Sequence, residues 1–344
     1  MDSSIDTRVV ATDDPRTLGS AAAQAAERLL AGEVVALPTE TVYGLAANAL
    51  DPVAVAKIFA AKERPAFDPL IVHVRNLEAV RDIAEIPSEI EDAVTKLAGA
   101  FWPGPLTLLL PKKPVVPDLV TSGLPTVAVR VPAHPVFRRV LKECRVPLAA
   151  PSANRFGRIS PTTAAAVVKE LGGRIPLVLD GGACAEGLES TILRVTRPPG
   201  TPKPVLEVVR SGPVTRERLK PFGVVKNAPR TAAPGAPGQL ASHYAPATPL
   251  RLLEEGERFS PVAGRRYGLL SLEGTPRGMN LSDFEMVVVL SPGSGKLGEA
   301  AIRLFALLRQ LDDAGLDEII AEPVAEQGLG VAIMDRLRKA AGRG

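Results

Sequence analysis

Little in this chain invites redox or metal chemistry. Its 344 residues include two cysteines and three histidines. Cys144 and Cys184, with the scattered His73, His134 and His243, give no metal-ligand spacing and no disulfide framework. Aromatic residues make up 4% of the chain, too few for the stacking platforms of a dedicated single-strand nucleic-acid binder. A formal net charge of +3 is nearly neutral and supports no claim of a strong polyelectrolyte partner. No apolar run approaches the length that spans a bilayer. The N-terminal stretch is acidic and polar, without the basic and apolar regions of a signal peptide. These absences lead us to expect a soluble protein of a reducing, cytoplasmic compartment with no membrane partner.

What is present fits two α/β domains, since the length allows two separate cores. Helical spacing covers 17–31, with Gly32 beyond its end, and an apolar strand follows over Val34–Leu37. Asp51 and Pro52 open a helix through Lys62. Ser88, with Glu91 three residues on, predicts a capping box at the head of a helix over 88–100. Helices are expected over 135–143 and 162–171. Further strands are expected at 70–74, 107–110, 126–131, 177–179, 190–195 and 205–210. The stretch 213–248 is rich in Pro, Gly and Ala and reads as a linker. From 249 to 344, short apolar strands (250–253, 267–271, 286–290, 319–321) alternate with helices (297–314, 332–341), as in a small open α/β sheet. No internal repeat is found. Gly293-Ser294-Gly295-Lys296 ends like a P-loop, but the first glycine would fall at Leu290 and Leu297 replaces Ser/Thr.

Four clusters carry chemistry. The first, Pro38-Thr39-Glu40-Thr41-Val42-Tyr43, brings hydroxyls to a strand end, with Gly44 expected to free the turn. It fits either a ligand site or a plain polar turn. In the second, Lys62 closes a helix and Arg64 follows on an extended backbone fixed by Pro65. A point charge beside a forked cation suits phosphate, and Asp68 and His73 follow. On the strand 126–131, Thr126, Ala128 and Arg130 share one face. A buried Arg130 needs an anionic partner. With no acidic residue close in sequence, a structural ion pair and a carboxylate substrate both stand. The third cluster, Pro151-Ser152-Ala153-Asn154 with Gly157 and Ser160, offers small and donor groups at another strand end. The fourth places Ser190 and Thr191 at a strand edge, with Arg210 ending the domain.

Taken together, PTETVYGL, KERP…DPLIVHV, FWPGPLTLLL, VAVRVP, PSANRFGRISPT and LESTILRV resemble the YrdC-type threonylcarbamoyl-AMP synthases, and HYAP with the closing 328–337 region resembles their longer, two-domain branch. The resemblance implies a twisted, open mixed sheet over 1–212, a linker over 213–248 acting as a lid, and a small Rossmann-like α/β domain over 249–344. It implies that L-threonine, bicarbonate and ATP give L-threonylcarbamoyl-AMP and pyrophosphate. That is the first step of tRNA threonylcarbamoyladenosine formation beside the anticodon. By the same match, Thr41, His73, Arg130 and Ser190 bind threonine, and Lys62 and Arg64 act on the polyphosphate. Asp68, Thr126, Ala150, Ser152, Asn154, Ser160, Arg210 and Tyr244 complete the ATP site. Mg²⁺ would come with ATP, without a protein metal site or a tightly bound organic cofactor, and the product would pass to tRNA threonylcarbamoyl transferase proteins. Thr39, Glu40 and Tyr43 then read as shaping residues. Three departures stand out. Asp68 replaces the commoner Asn, so it either coordinates Mg²⁺ or weakens the phosphate contact. Ala47 replaces a common Gly, and Gly238–Ser242 is less basic than usual.

Two rivals remain. A carbamoyl-adenylate enzyme of hydrogenase maturation shares this type of domain but normally adds acylphosphatase and zinc-finger segments. An RNA-binding module would need more positive charge and aromatics; we expect weak, salt-sensitive tRNA binding at best.

Overall fold

Strand pairing puts residues from most of the first 227 positions into one mixed sheet. The structure, a computed structural model, describes residues 5–12, 14–229, 236, 243–274 and 278–342. Its first unit holds eleven strands: β1 (Arg8–Ala11), β2 (Val35–Leu37), β3 (Gly44–Asn48), β4 (Ile71–His73), β5 (Leu106–Pro111), β6 (Thr126–Arg130), β7 (Leu148–Ala149), β8 (Leu177–Asp180), β9 (Thr191–Thr196), β10 (Val205–Arg210) and β11 (Val224–Asn227). They lie in the order β1-β8-β2-β3-β7-β4-β6-β5-β9-β10-β11, with parallel and antiparallel neighbours mixed. Eight helices accompany them: α1 (Pro15–Leu30), α2 (Pro52–Lys62), α3 (Leu77–Ile83), α4 (Ser88–Phe101), α5 (Asp118–Thr121), α6 (Pro135–Cys144), α7 (Ala164–Leu171) and α8 (Arg216–Leu219).

Side chains alternate between two apolar layers, as the period of a strand requires. Val72, Leu108, Val127, Val129 and Leu193 join one core with residues of α2 and α4. On the opposite face, Val35, Leu37, Leu148 and Leu179 pack with α1 and α6. Ile71, Leu109, Ala128 and Ile192 form a smaller patch beside them, buried with Ala236. By strand alternation, that small patch lies on the same face as His73, Thr107 and Arg130.

The second unit comprises 240–344 together with two short segments, 157–160 and 186–188. Its sheet is wholly parallel, in the order β12-β15-β13-β14, from β12 (Leu250–Leu252), β13 (Tyr267–Ser271), β14 (Met286–Val289) and β15 (Glu318–Ala321). Helices α9 (Leu297–Asp312) and α10 (Gly330–Ala340) accompany it.

Several local expectations change. Asp51 does cap α2, accepting from the Val53 and Ala54 N–H groups. The capping box at Ser88 does not form: Pro87 is the N-cap, and its carbonyl takes the Ile90 N–H instead. Thr163, rather than Ser160 or Thr162, caps α7. Gly44 is not the turn. It opens β3 opposite Leu37, so Pro38–Tyr43 is the connecting loop of a β2–β3 hairpin. Inside the expected linker, 213–248, α8 and β11 form, and β11 pairs with β10. Most of Ala228–Gly238, and all of Gly238–Ser242, lie outside the described residues.

Candidate active site

The β2–β3 loop is built on Thr39. Its hydroxyl donates to the Val42 carbonyl (2.6 Å) and accepts from the Thr41 and Val42 N–H groups. This holds the Thr41 hydroxyl 2.7 Å from that of Thr39, fully buried. Tyr43 is a strut: its hydroxyl donates to the Gly182 carbonyl (2.7 Å). Burial, the main cause, pushes its pKa up, so it stays protonated.

Arg130 ends β6 on the same face. Its guanidinium donates to Glu40 Oε1 (2.6 Å), Thr41 Oγ1 (2.9 Å) and the Gly104 carbonyl (3.2 Å). A buried ion pair thus exists, and its partner is Glu40, ninety positions away in sequence. Glu40 Oε2 accepts from the Ala133 N–H (3.0 Å). Burial pushes the Glu40 carboxyl up, but the Arg130 charge and hydrogen bonds outweigh it and hold it below the ordinary range. A guanidinium has five N–H groups; these three bonds leave two without a partner among the described residues.

Strand register extends the site sideways. His73 on β4 pairs with Arg130, Arg130 with Thr107 on β5, Thr107 with Ile192 on β9, and Ile192 with Arg210 on β10. One row therefore crosses five strands. His73 is buried, and its Nδ1 has no hydrogen-bond partner among the described residues. Burial, reinforced by the Arg130 charge, lowers its pKa to about 3. The Ser190 hydroxyl lies 2.7 Å from that of Thr107 and accepts from Arg210 Nη2 (3.1 Å). Thr41, His73, Arg130 and Ser190 are thus brought together. Sequence reasoning missed Thr107, although its single hydroxyl within LTLLL was a usable signal, and it gave Arg130 no partner.

A second group lies around the loop after β7. Lys62, buried at the end of α2, donates to the carbonyls of Ser152 (2.5 Å) and Asn154. Burial lowers its pKa well below the usual lysine value, and the nearby Arg64 charge acts the same way. Arg64 follows a left-handed Glu63 (φ 53°) and curls into its own loop. It donates to the Asp68 (3.1 Å) and Pro69 (2.9 Å) carbonyls and pairs with the Asp68 carboxylate at 2.8 Å. Ala150 follows β7, its N–H on the Ile71 carbonyl. Thr126 opens β6 on the Arg130 face, half-buried. Arg210 is held by the Ser190 carbonyl and hydroxyl.

Ser160 and Tyr244 fall within the second unit. Tyr244 is fully buried with φ 65°; its ring stacks on Phe305 (5.5 Å between centroids), and the Arg336 guanidinium lies 5.3 Å from its centroid.

Comparison with known proteins gives the family of the chain. The Sua5/YciO/YrdC profile, described as telomere recombination, matches residues 27–212, and the profile of the threonylcarbamoyl-AMP synthase C-terminal domain matches 214–342. The chain belongs to the Sua5/YciO/YrdC family. Within that family it is 42% identical to the threonylcarbamoyl-AMP synthase of Pyrococcus abyssi, covering 90% of this chain and 91% of that one. It is 41% identical to the Bacillus subtilis enzyme of the same name, covering 96% of each. A crystal structure of P. abyssi Sua5 complexed with L-threonine superposes with a TM-score of 0.82 at 37% identity, covering 98% of both chains. The Sua5 likeness therefore spans both units, including the segment between the large sheet and the small one.

Proposed function

We propose that this chain is a threonylcarbamoyl-AMP synthase, forming L-threonylcarbamoyl-AMP, pyrophosphate and water from L-threonine, bicarbonate and ATP. The observation that carries the reading is the row at Arg130. Two guanidinium N–H groups beyond those three bonds match a carboxylate, and His73, whose buried Nδ1 has no hydrogen-bond partner among the described residues, is the register neighbour of Arg130. Such a nitrogen costs about 1–3 kcal/mol if nothing satisfies it, so it favours a ligand with polar groups next to its carboxylate.

In this reading Arg130 holds the threonine carboxylate, while Thr41, His73 and Ser190 orient the amine and the side-chain hydroxyl. With a pKa of about 3, His73 is too weak a base to take the amine proton; it orients as a neutral ring. The amine and bicarbonate give a carbamate with loss of water. A carbamate oxygen then bonds to the α-phosphorus of ATP as the bond to the pyrophosphate oxygen breaks. Positioning and charge neutralisation dominate such a displacement. Lys62 and Arg64 would face the polyphosphate, with Asp68, Thr126, Ala150, Ser152, Asn154 and Arg210 completing the nucleotide site. Mg²⁺ would enter on the phosphates of ATP and offset their charge. Asp68 is paired with the Arg64 guanidinium. No helix among them is long and apolar enough to cross a membrane. We place the enzyme in the cytoplasm, handing its product to tRNA threonylcarbamoyl transferase proteins.

Ala236 supports a lid. Flanked by the Pro/Gly-rich stretch, it is fully buried against Ile71, Leu109, Ala128 and Ile192, the apolar patch on the Arg130 face. A cover there would shield the mixed anhydride from water. The decisive experiment measures pyrophosphate release from ATP. It should require both threonine and bicarbonate, and equal release with serine, or with no amino acid, would sink the assignment.

A further inference from the structure

Glu40 stands one residue before Thr41, and the hydroxyl-rich motif around it draws attention away from its carboxylate. Both of its oxygens are engaged: one holds Arg130, and the other holds the Ala133 N–H just beyond β6. The carboxylate therefore ties the β2–β3 loop to the far end of the strand that carries Arg130. Its side chain is 11% exposed and that of Arg130 is 4%. In such surroundings the ion pair is weakly screened and strongly directional.

An arginine on a strand has four rotatable bonds and would otherwise sweep several positions. Here three of its five N–H groups are fixed by three acceptors on two segments: Glu40 and Thr41 on the hairpin loop, and Gly104 before β5. Thr41 and Gly104 offer neutral acceptors. Glu40 alone supplies a charged one, at the shortest of the three distances. Removing it leaves a buried guanidinium without its counter-charge and free to turn toward other acceptors.

We propose that Glu40 is a positioning residue for substrate binding. It locks the Arg130 guanidinium in the one orientation that presents its two remaining N–H groups to the substrate carboxylate. This deepens the threonine reading above and rests on it. Glu40 itself does not touch the reacting atoms; it acts through Arg130. The consequence is specific. Loss of Glu40 should weaken whatever part of the affinity comes from the carboxylate, and leave the part from the amine and hydroxyl in place.

The experiment compares dissociation constants of L-threonine and L-threoninamide, which lacks the carboxylate, for wild type, Glu40→Gln, Glu40→Asp and Arg130→Ala. Titration calorimetry at neutral pH provides the constants, and far-ultraviolet circular dichroism confirms folding. Wild type should prefer threonine strongly. In Glu40→Gln that preference should fall about tenfold, the equivalent of one charge-assisted hydrogen bond, while the threoninamide constant changes little. Glu40→Asp keeps the charge but is one methylene short of spanning Arg130 and Ala133, so it should show the same loss; it also serves if the glutamine variant does not fold. Weakening of both ligands by the same factor would mark Glu40 as merely structural and overturn the proposal, as would an unchanged preference. Arg130→Ala separates the two levels. If it abolishes the preference while the Glu40 variants keep it, the positioning role fails and the threonine reading survives. If Arg130→Ala itself keeps the preference, the threonine reading fails.

Discussion

His73 couples a single side chain to the acid stability of the whole fold. In the unfolded chain it takes up a proton near its ordinary value of 6.5, whereas burial and the Arg130 charge delay protonation in the fold to about 3. Between those values the unfolded state binds the extra proton, so stability falls as pH drops from about 6.5 toward 3, at up to about 1.4 kcal/mol per pH unit. Glu40 acts in the same direction lower down: its depressed pKa gives stability present above the unfolded value and lost as pH falls through the folded one. His73→Gln should therefore flatten the loss between pH 6.5 and 5, where carboxylates titrate little. Urea unfolding at several pH values would check this, and parallel losses in variant and wild type would clear His73 of the effect. Asp68 shows a different limit at this scale. The sequence leaves it between Mg²⁺ coordination and repulsion of phosphate, while the structure pairs it with Arg64, a contact four residues away that only the loop geometry reveals.

At the scale of elements, the β9–β10 pair shows how backbone packing secures a side chain. Gly212, just past β10, lies so close to β9 that an added Cβ would fall 2.5 Å from the Glu189 carbonyl oxygen, 2.6 Å from the Thr191 nitrogen and 2.7 Å from the Ser190 carbonyl carbon. Those atoms are main chain and cannot swing aside. Gly212→Ala should destabilise the protein by about 1–3 kcal/mol and displace Ser190, weakening threonine binding. Denaturant unfolding with a threonine titration tests both; unchanged binding would mean that Ser190 tolerates the shift. Legibility follows the same divide. The alternation of Thr126, Ala128 and Arg130 against Val127 and Val129 was readable because a half-open strand repeats every two residues. β3 was not, since Gly44–Asn48 is mostly small residues whose strand form depends on β2 and β7 on either side. β11 hid inside a Pro- and Gly-rich stretch. The Glu40–Arg130 pair was unreadable because topology, not spacing, brings its members together.

For the whole molecule, two sheets of different construction share one chain: a large mixed sheet carrying the row at Arg130, and a small parallel one. Ala236, from the stretch between them, is buried on the large sheet. If that stretch serves as a lid, Ala236→Glu should expel it from its apolar patch. Pyrophosphate would still form, but the intact adenylate recovered per pyrophosphate should fall severalfold through hydrolysis. Quantifying both products in one reaction tests this, and an unchanged ratio would remove Ala236 from the shielding role.

The row from His73 to Arg210 also works as a parity check on folding. Each of five neighbouring strands contributes one position, and the five come from segments spread between residues 73 and 210. A slip of one residue in any one pairing sends that strand's side chains to the opposite face. A nearly correct sheet would therefore present an incomplete row, with His73, Thr107, Arg130 or Arg210 turned away from the others. In the threonine reading proposed above, binding of the amino acid at His73 and Arg130 would report that β4 and β6 have paired in register.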